Sequence, residues 1–170
     1  MNVELTFFFL IAVLAILTAI LMITRRNPIV SVLYLIVNFF CLAVMYLLLH
    51  AQFIAIIQIL VYAGAIMVLF LFVIMLLNLG DETRFSERAN LKKMIAVGLA
   101  SVVLLQILIG MGLLTGNGST SLSPRATEMG TVESIGKVLF TDFLLPFEIT
   151  SIILLAAMVG VIVLAKKKFQ

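Results

Sequence analysis

Tryptophan is absent from this chain, and cysteine and histidine occur once each, as Cys41 and His50. A lone Cys41 within an apolar run can form neither an intrachain disulfide nor a thiolate-ligated metal site. One histidine cannot supply both axial ligands of a b-type haem, and His50, in a short turn between apolar runs, reads as an interfacial residue reaching water. Charge is scarce as well. Asp, Glu, Lys and Arg make up 11% of the residues, against about 25% in an ordinary soluble domain. There is no glycine-rich phosphate loop, no cluster with metal-ligand spacing and no Ser/His/Asp set able to converge. Nor do apolar and polar residues alternate in segments of about 10, as a membrane β-barrel requires.

What remains is apolar. Hydrophobic residues reach 64% and mean hydropathy is +1.32, which marks an all-α, polytopic integral membrane protein. The 170 residues hold several spanning helices and leave no length for a sizeable soluble domain, so the chain reads as a single membrane domain, 1–170. The expected helices are 3–24, 29–49, 53–79, 94–114 and 147–165, with an outer loop over 115–146. The first run carries Glu4 instead of a basic leader and is about 22 residues long, beyond a signal-peptide core of about 7 to 15. It is expected to be retained as a span.

Lys and Arg fix an orientation. Arg25, Arg26, Arg84, Arg88, Lys92, Lys93, Lys166, Lys167 and Lys168 follow the first, third and fifth spans, whereas only Arg125 and Lys137 fall on the other side. The positive-inside rule then places the N-terminus outside and the C-terminus in the cytoplasm. The formal charge of +3 signals anionic lipid and not nucleic acid, because the basic residues sit in short clusters beside apolar runs. Arg25 to Pro28 and His50 to Gln52 read as tight turns between antiparallel helices, and Gly80 to Lys93 as a longer charged connection. After the Gly/Ser/Thr-rich stretch from Thr115, the segment Thr131 to Leu145 regains Val132, Ile135, Val138 and Leu139 at helical spacing. A short amphipathic helix capped by Thr131 is expected there.

Seven of the eight acidic residues lie at ends or in loops, leaving Glu148 inside a span, near its outer end. A proton or ion carrier needs a series of ionisable groups across the membrane, and this chain cannot supply it alone. The inference is a subunit of a larger membrane complex. A small self-contained homo-oligomeric transporter or channel is the alternative, and a purely structural scaffold fits the same composition. Glu148, two residues after Pro146, suits either a proton path or ordinary packing and helix-start chemistry. Asn38 suits an interhelical hydrogen bond.

The run Phe53 to Leu79 would form a helix of about 27 residues and roughly 40 Å, longer than a bilayer core of about 30 Å requires. Near its middle are Gln58 and Tyr62, four apart on one face, and the small triplet Ala63, Gly64, Ala65. Gln58 and Tyr62 serve either as packing glue or as functional polar groups.

The segment LVYAGAIMVLFLFVIMLLNLG, Leu60 to Gly80, resembles the third transmembrane helix of subunit J of bacterial NADH:quinone oxidoreductase, respiratory complex I, the counterpart of mitochondrial NADH dehydrogenase subunit 6. Asn27-Pro28 with Leu33 to Leu35, and the stretch GKVLFTDFLLPFEITSIILLAAMVG from Gly136 to Gly160, extend the resemblance in the same order. It implies a five-helix membrane-arm subunit beside the quinone-binding region, with other membrane-arm subunits as partners. No cofactor would be bound by the chain itself, while the complex uses FMN, iron-sulfur clusters and a quinone. The resemblance further implies a third helix able to carry a π-bulge near Tyr62, Gly64 and Val68 and to switch to regular helix, gating the coupling of quinone reduction to proton pumping. Some relatives carry a carboxylate where this chain has Gln58. An amide can orient water there but cannot hold a transferred proton.

Overall fold

A computed structural model of the chain describes residues 3–77, 91–115 and 128–166. Among these the regular structure is helical, with no strand. In chain order the helices are α1 (Val3–Thr24), α2 (Pro28–Leu48), α3 (Gln52–Leu76), α4 (Leu91–Thr115), α5 (Val132–Thr141) and α6 (Leu144–Ala165). Helices α1, α2, α3 and α6 are each long and apolar enough to cross a membrane, and α4 carries the apolar stretch Ile95–Gly110. The connection expected over Gly80 to Lys93, up to Asn90, and the Gly/Ser/Thr-rich stretch 116–127 lie outside the described residues.

Helices α1, α2 and α3 pack into one unit, with the α1–α2 hairpin as its best-packed pair. The turn between them is dictated locally. The Asn27 side chain accepts a hydrogen bond from the Ile29 amide at 2.9 Å, and Pro28 occupies the first helical position, where its missing N–H would have had no partner and its fixed φ suits the helix. Ser31 closes the turn by donating to the Met22 carbonyl at 2.7 Å. Deeper in the hairpin, Asn38 Nδ2 donates to the Ala15 carbonyl at 2.7 Å and to Thr18 Oγ1 at 3.0 Å. Asn38 therefore makes the interhelical hydrogen bond its position suggested. Thr18, absent from the sequence-based expectations, is itself held by the Leu14 and Ala15 carbonyls. Helices α2 and α3 are in contact, and their buried residues are mostly small, among them Cys41 and Ala43 on α2 and Ala55 and Ala63 on α3, which let membrane helices approach closely.

The α2–α3 connection is set by a left-handed residue. His50 has φ of 59°, its amide donates to Leu47, and the Ala51 amide donates to Tyr46. This Schellman-type closure satisfies the last carbonyls of α2, with histidine in the place usually taken by glycine. Against this turn lies Gly130. Its carbonyl accepts from the Phe53 amide at 3.3 Å, one of the N-terminal donors of α3 that has no partner within the helix.

Two expected boundaries change. The amphipathic helix expected over Thr131 to Leu145 stops at Thr141, with Thr131 accepting from the Ser134 amide at 3.3 Å as its cap. The last helix begins at Leu144 instead of Phe147, which makes Pro146 its third residue and not its first. Proline is tolerated there because the amides of the first turn lack intrahelical acceptors in any case. Phe140 meets Phe147 edge-on at 5.1 Å across the intervening corner. Apart from α5, helix α6 packs against no described element, and α4 packs against none.

Candidate functional site

The middle of α3 is not an α-helix. Nine residues, Gln58–Ile66, form a π-helix, with ordinary α-helix before it over Gln52–Ile57 and after it over Met67–Leu76. On entry the Gln58 amide bonds to the Ile54 carbonyl, four residues back. At the exit the Met67 amide bonds to the Tyr62 carbonyl, five back. The hydrogen-bond register has slipped by one residue between these points, so the C-terminal half of α3 is rotated relative to an uninterrupted helix by about the 100° that one residue subtends.

The segment lies where the sequence places its polar and small residues, and the structure gives each a distinct setting. Gln58 opens the π-helix and is 7% exposed, and among the described residues no buried side-chain nitrogen or oxygen is left without a hydrogen-bond partner. Tyr62, four residues on, is 45% exposed; its ring stands edge-on to Phe39 of α2, centroids 6.0 Å apart. The two residues differ in environment: one is turned into the helix unit, and the other keeps only its ring edge against α2. Gly64 is exposed, and a Cβ added there would lie 3.2 Å from the Ile59 carbonyl oxygen, five residues back. That oxygen belongs to the π turn itself, so a side chain at this position would have to be met by a shift of a few tenths of an ångström in the turn. Val68 lies beyond the segment, in the regular helix after Met67, and is exposed.

Glu148 is not brought to this site. It lies on α6, a helix that makes no contact with α3, and is exposed, with its backbone carbonyl accepting from Ser151 at 2.6 Å. The residues the sequence reading missed are Phe39, Thr18 and Gly130. Only Thr18 announces itself, as a polar residue midway along α1; an aromatic in an apolar run and a glycine in a loop carry no local signal. Chemically, the π segment offers an amide, a phenol and a backbone of altered register. Such side chains donate and accept hydrogen bonds and can orient water, and the changed register alters helix rotation.

The comparisons with known proteins agree with one another. The family described as NADH-ubiquinone/plastoquinone oxidoreductase chain 6 matches residues 18–164. Among curated proteins, NADH-quinone oxidoreductase subunit J of Rickettsia typhi is 37% identical over 164 residues, covering 95% of this chain and 80% of the relative. The subunit J of Pseudomonas aeruginosa is 36% identical over 159 residues, covering 90% and 91%, and that of Escherichia coli K12 is 33% identical over 152 residues, covering 89% and 81%. With the match running through α1, α2, α3 and α6 and across the π segment, the chain belongs to the NADH-ubiquinone/plastoquinone oxidoreductase chain 6 family, which includes the bacterial subunit J proteins.

Proposed function

We propose that this chain is a membrane-arm subunit of a proton-translocating NADH:quinone oxidoreductase and that it gates coupling through α3, contributing no bond chemistry of its own. The observation that carries the reading is the π-helix at Gln58–Ile66 in a chain of this family. A π segment holds one residue more than a regular helix of the same hydrogen-bonded path, so its conversion to α-helix rotates one half of α3 against the other by about 100°. Tyr62 and Val68 would sweep across the facing subunit, and Gln58 would keep or lose an oriented water. Gly64 permits both forms. In this reading the rotation opens and closes a water path between the quinone site and the proton channels of neighbouring subunits, with Gln58, Tyr62, Gly64 and Val68 as its coupling residues.

Five spans, with the N-terminus outside and the C-terminus in the cytoplasm, complete the reading, with α4 as the fourth. The surfaces of α4 and α6 that no described element covers face lipid and other membrane-arm subunits in the cell inner membrane. FMN, iron-sulfur clusters and the quinone are held by other chains. Glu148 serves the outer end of α6, as a packing group or as part of a proton path completed by a neighbour.

The test is the company the chain keeps. Extracted in mild detergent through a tag on the full chain, it should bring down a large assembly that contains flavin and iron-sulfur clusters and oxidises NADH. Recovery only as a small homo-oligomer that conducts protons in vesicles would replace this reading with that of a self-contained channel.

A further inference from the structure

Where α1, α2 and the far half of α3 meet, the surface opens into a groove of about 290 Å³ lined by Met22, Pro28, Val32, Leu35, Phe70 and Ile74, with Ser31 as its one polar residue. Ser31 is already committed to the Met22 and Arg25 carbonyls, so the groove offers a visitor hydrocarbon and little else. At its mouth is the turn between Met22 and Pro28, which carries Arg25 and Arg26, both exposed. The Arg25 guanidinium lies over the Tyr34 ring, 5.7 Å from its centroid, a cation–π contact that ties this arginine to α2. Among the described residues no carboxylate lies at this end of the three-helix unit, whose one acidic residue, Glu4, is in the first turn of α1.

From this combination we infer that the groove is a binding site for an anionic glycerophospholipid, with an acyl chain along Phe70 and Ile74 and the phosphate on Arg25 and Arg26. The charge at the mouth selects a phosphate without a compensating cation, and the lining selects a flexible apolar chain. The space is at the lower limit of small-ligand pockets, and a partner helix of about 10 to 12 Å diameter is too wide for it. The site needs only the α1–α2–α3 unit in a bilayer; Phe70 and Ile74 lie on the half of α3 beyond the π segment, so the groove described is that of the π form.

The experiment places the intact assembly in phosphatidylcholine nanodiscs doped with a phospholipid bearing a photoreactive group in its acyl chain, either phosphatidylglycerol or phosphatidylcholine, and maps adducts by peptide mass spectrometry. Adducts should fall on Met22 to Leu35 and Phe70 to Ile74, several-fold more abundant from phosphatidylglycerol. Replacing both arginines, Arg25→Gln with Arg26→Gln, should lower the phosphatidylglycerol yield at least about fivefold, towards that of phosphatidylcholine. Ile74→Phe, which narrows the groove and keeps both arginines, should lower the yield from both lipids. Equal yields from the two lipids in the unaltered protein, or adducts confined to other residues, would overturn the assignment. The unaltered protein and Ile74→Phe decide the matter even if the double arginine variant fails to assemble.

Discussion

Gly130 leaves no space for a side chain between itself and His50: a Cβ built on it would run into the His50 carbonyl and crowd the backbone of Ala51. The same glycine accepts the Phe53 amide, so one backbone contact fastens the start of α3 to the segment leading into α5. Gly130→Ala should force these two backbones apart, costing about 1 to 3 kcal/mol by the usual scale of overpacking. Hydrogen exchange at Gln52–Ile57 should accelerate in the variant while the α1–α2 hairpin is unchanged. Unaltered protection at Phe53 would mean that the contact does not restrain α3.

Gly64 should respond with a definite sign. The atom that crowds an added Cβ is the Ile59 oxygen, five residues back in the π turn, so a side chain at this position opposes the π form. Replacing glycine also raises intrinsic α-helix propensity. Gly64→Val should therefore shift α3 towards regular helix by about 1 to 3 kcal/mol, a population change of roughly five- to 150-fold. Assembled complex carrying the variant should reduce an artificial acceptor from NADH at the normal rate but show slowed quinone-linked turnover or proton pumping. Normal pumping at normal assembly would make Gly64 a packing residue only, and Gly64→Ala should give the milder version of the same defect.

The Asn38 bridge should be worth little more than one hydrogen bond. Thr18 keeps its bonds to Leu14 and Ala15 when Asn38 is removed, so Asn38→Leu strands no hydroxyl. The loss should be about 0.6 kcal/mol and no more than about 1.7, the range found for hydrogen bonds between membrane helices. Steric trapping of the full chain in bicelles measures it, and a double-mutant cycle with Thr18→Val should return a coupling of the same size.

Topology follows from the nine-to-two division of basic residues. Single cysteines at Asn27 and Gln170, introduced with Cys41→Ser, should react with an impermeant thiol reagent only from the cytoplasmic side. Cysteines at Ala51 and Gly118 should react only from outside. Labelling of Gly118 from the cytoplasm would overturn both the count of five spans and their direction.

How much of this was readable without coordinates depends on how far each feature reaches along the chain. Helix existence was legible because each run of Leu, Ile, Val and Phe is its own evidence, and the Asn27-Pro28 turn was legible because cap and first helical residue are neighbours. The family resemblance implied a π-bulge near Tyr62, Gly64 and Val68, but not its limits. An α and a π register use the same side chains and differ in which carbonyl an amide finds, so Val68 was grouped with a segment that ends at Ile66. Pro146 misled for a related reason: proline suits any position in a first turn, not the first alone. The approach of Gly130 to His50 could not be read, because it joins residues 80 apart by their backbones and involves no distinctive side chain.

The uncovered surfaces of α4 and α6 bear on how the cell handles the chain before assembly. Within the described residues α4 packs on nothing and α6 only on α5, so α6 is tied to the first three helices through α5 alone and α4 has no described partner. Helix association in a bilayer depends on close packing and interhelical hydrogen bonds, which on the proposed reading neighbouring subunits supply to these two helices. A copy made in excess of its partners should therefore be the more open to membrane proteases, and the number of surviving copies should follow the supply of neighbours and not the rate of its own synthesis.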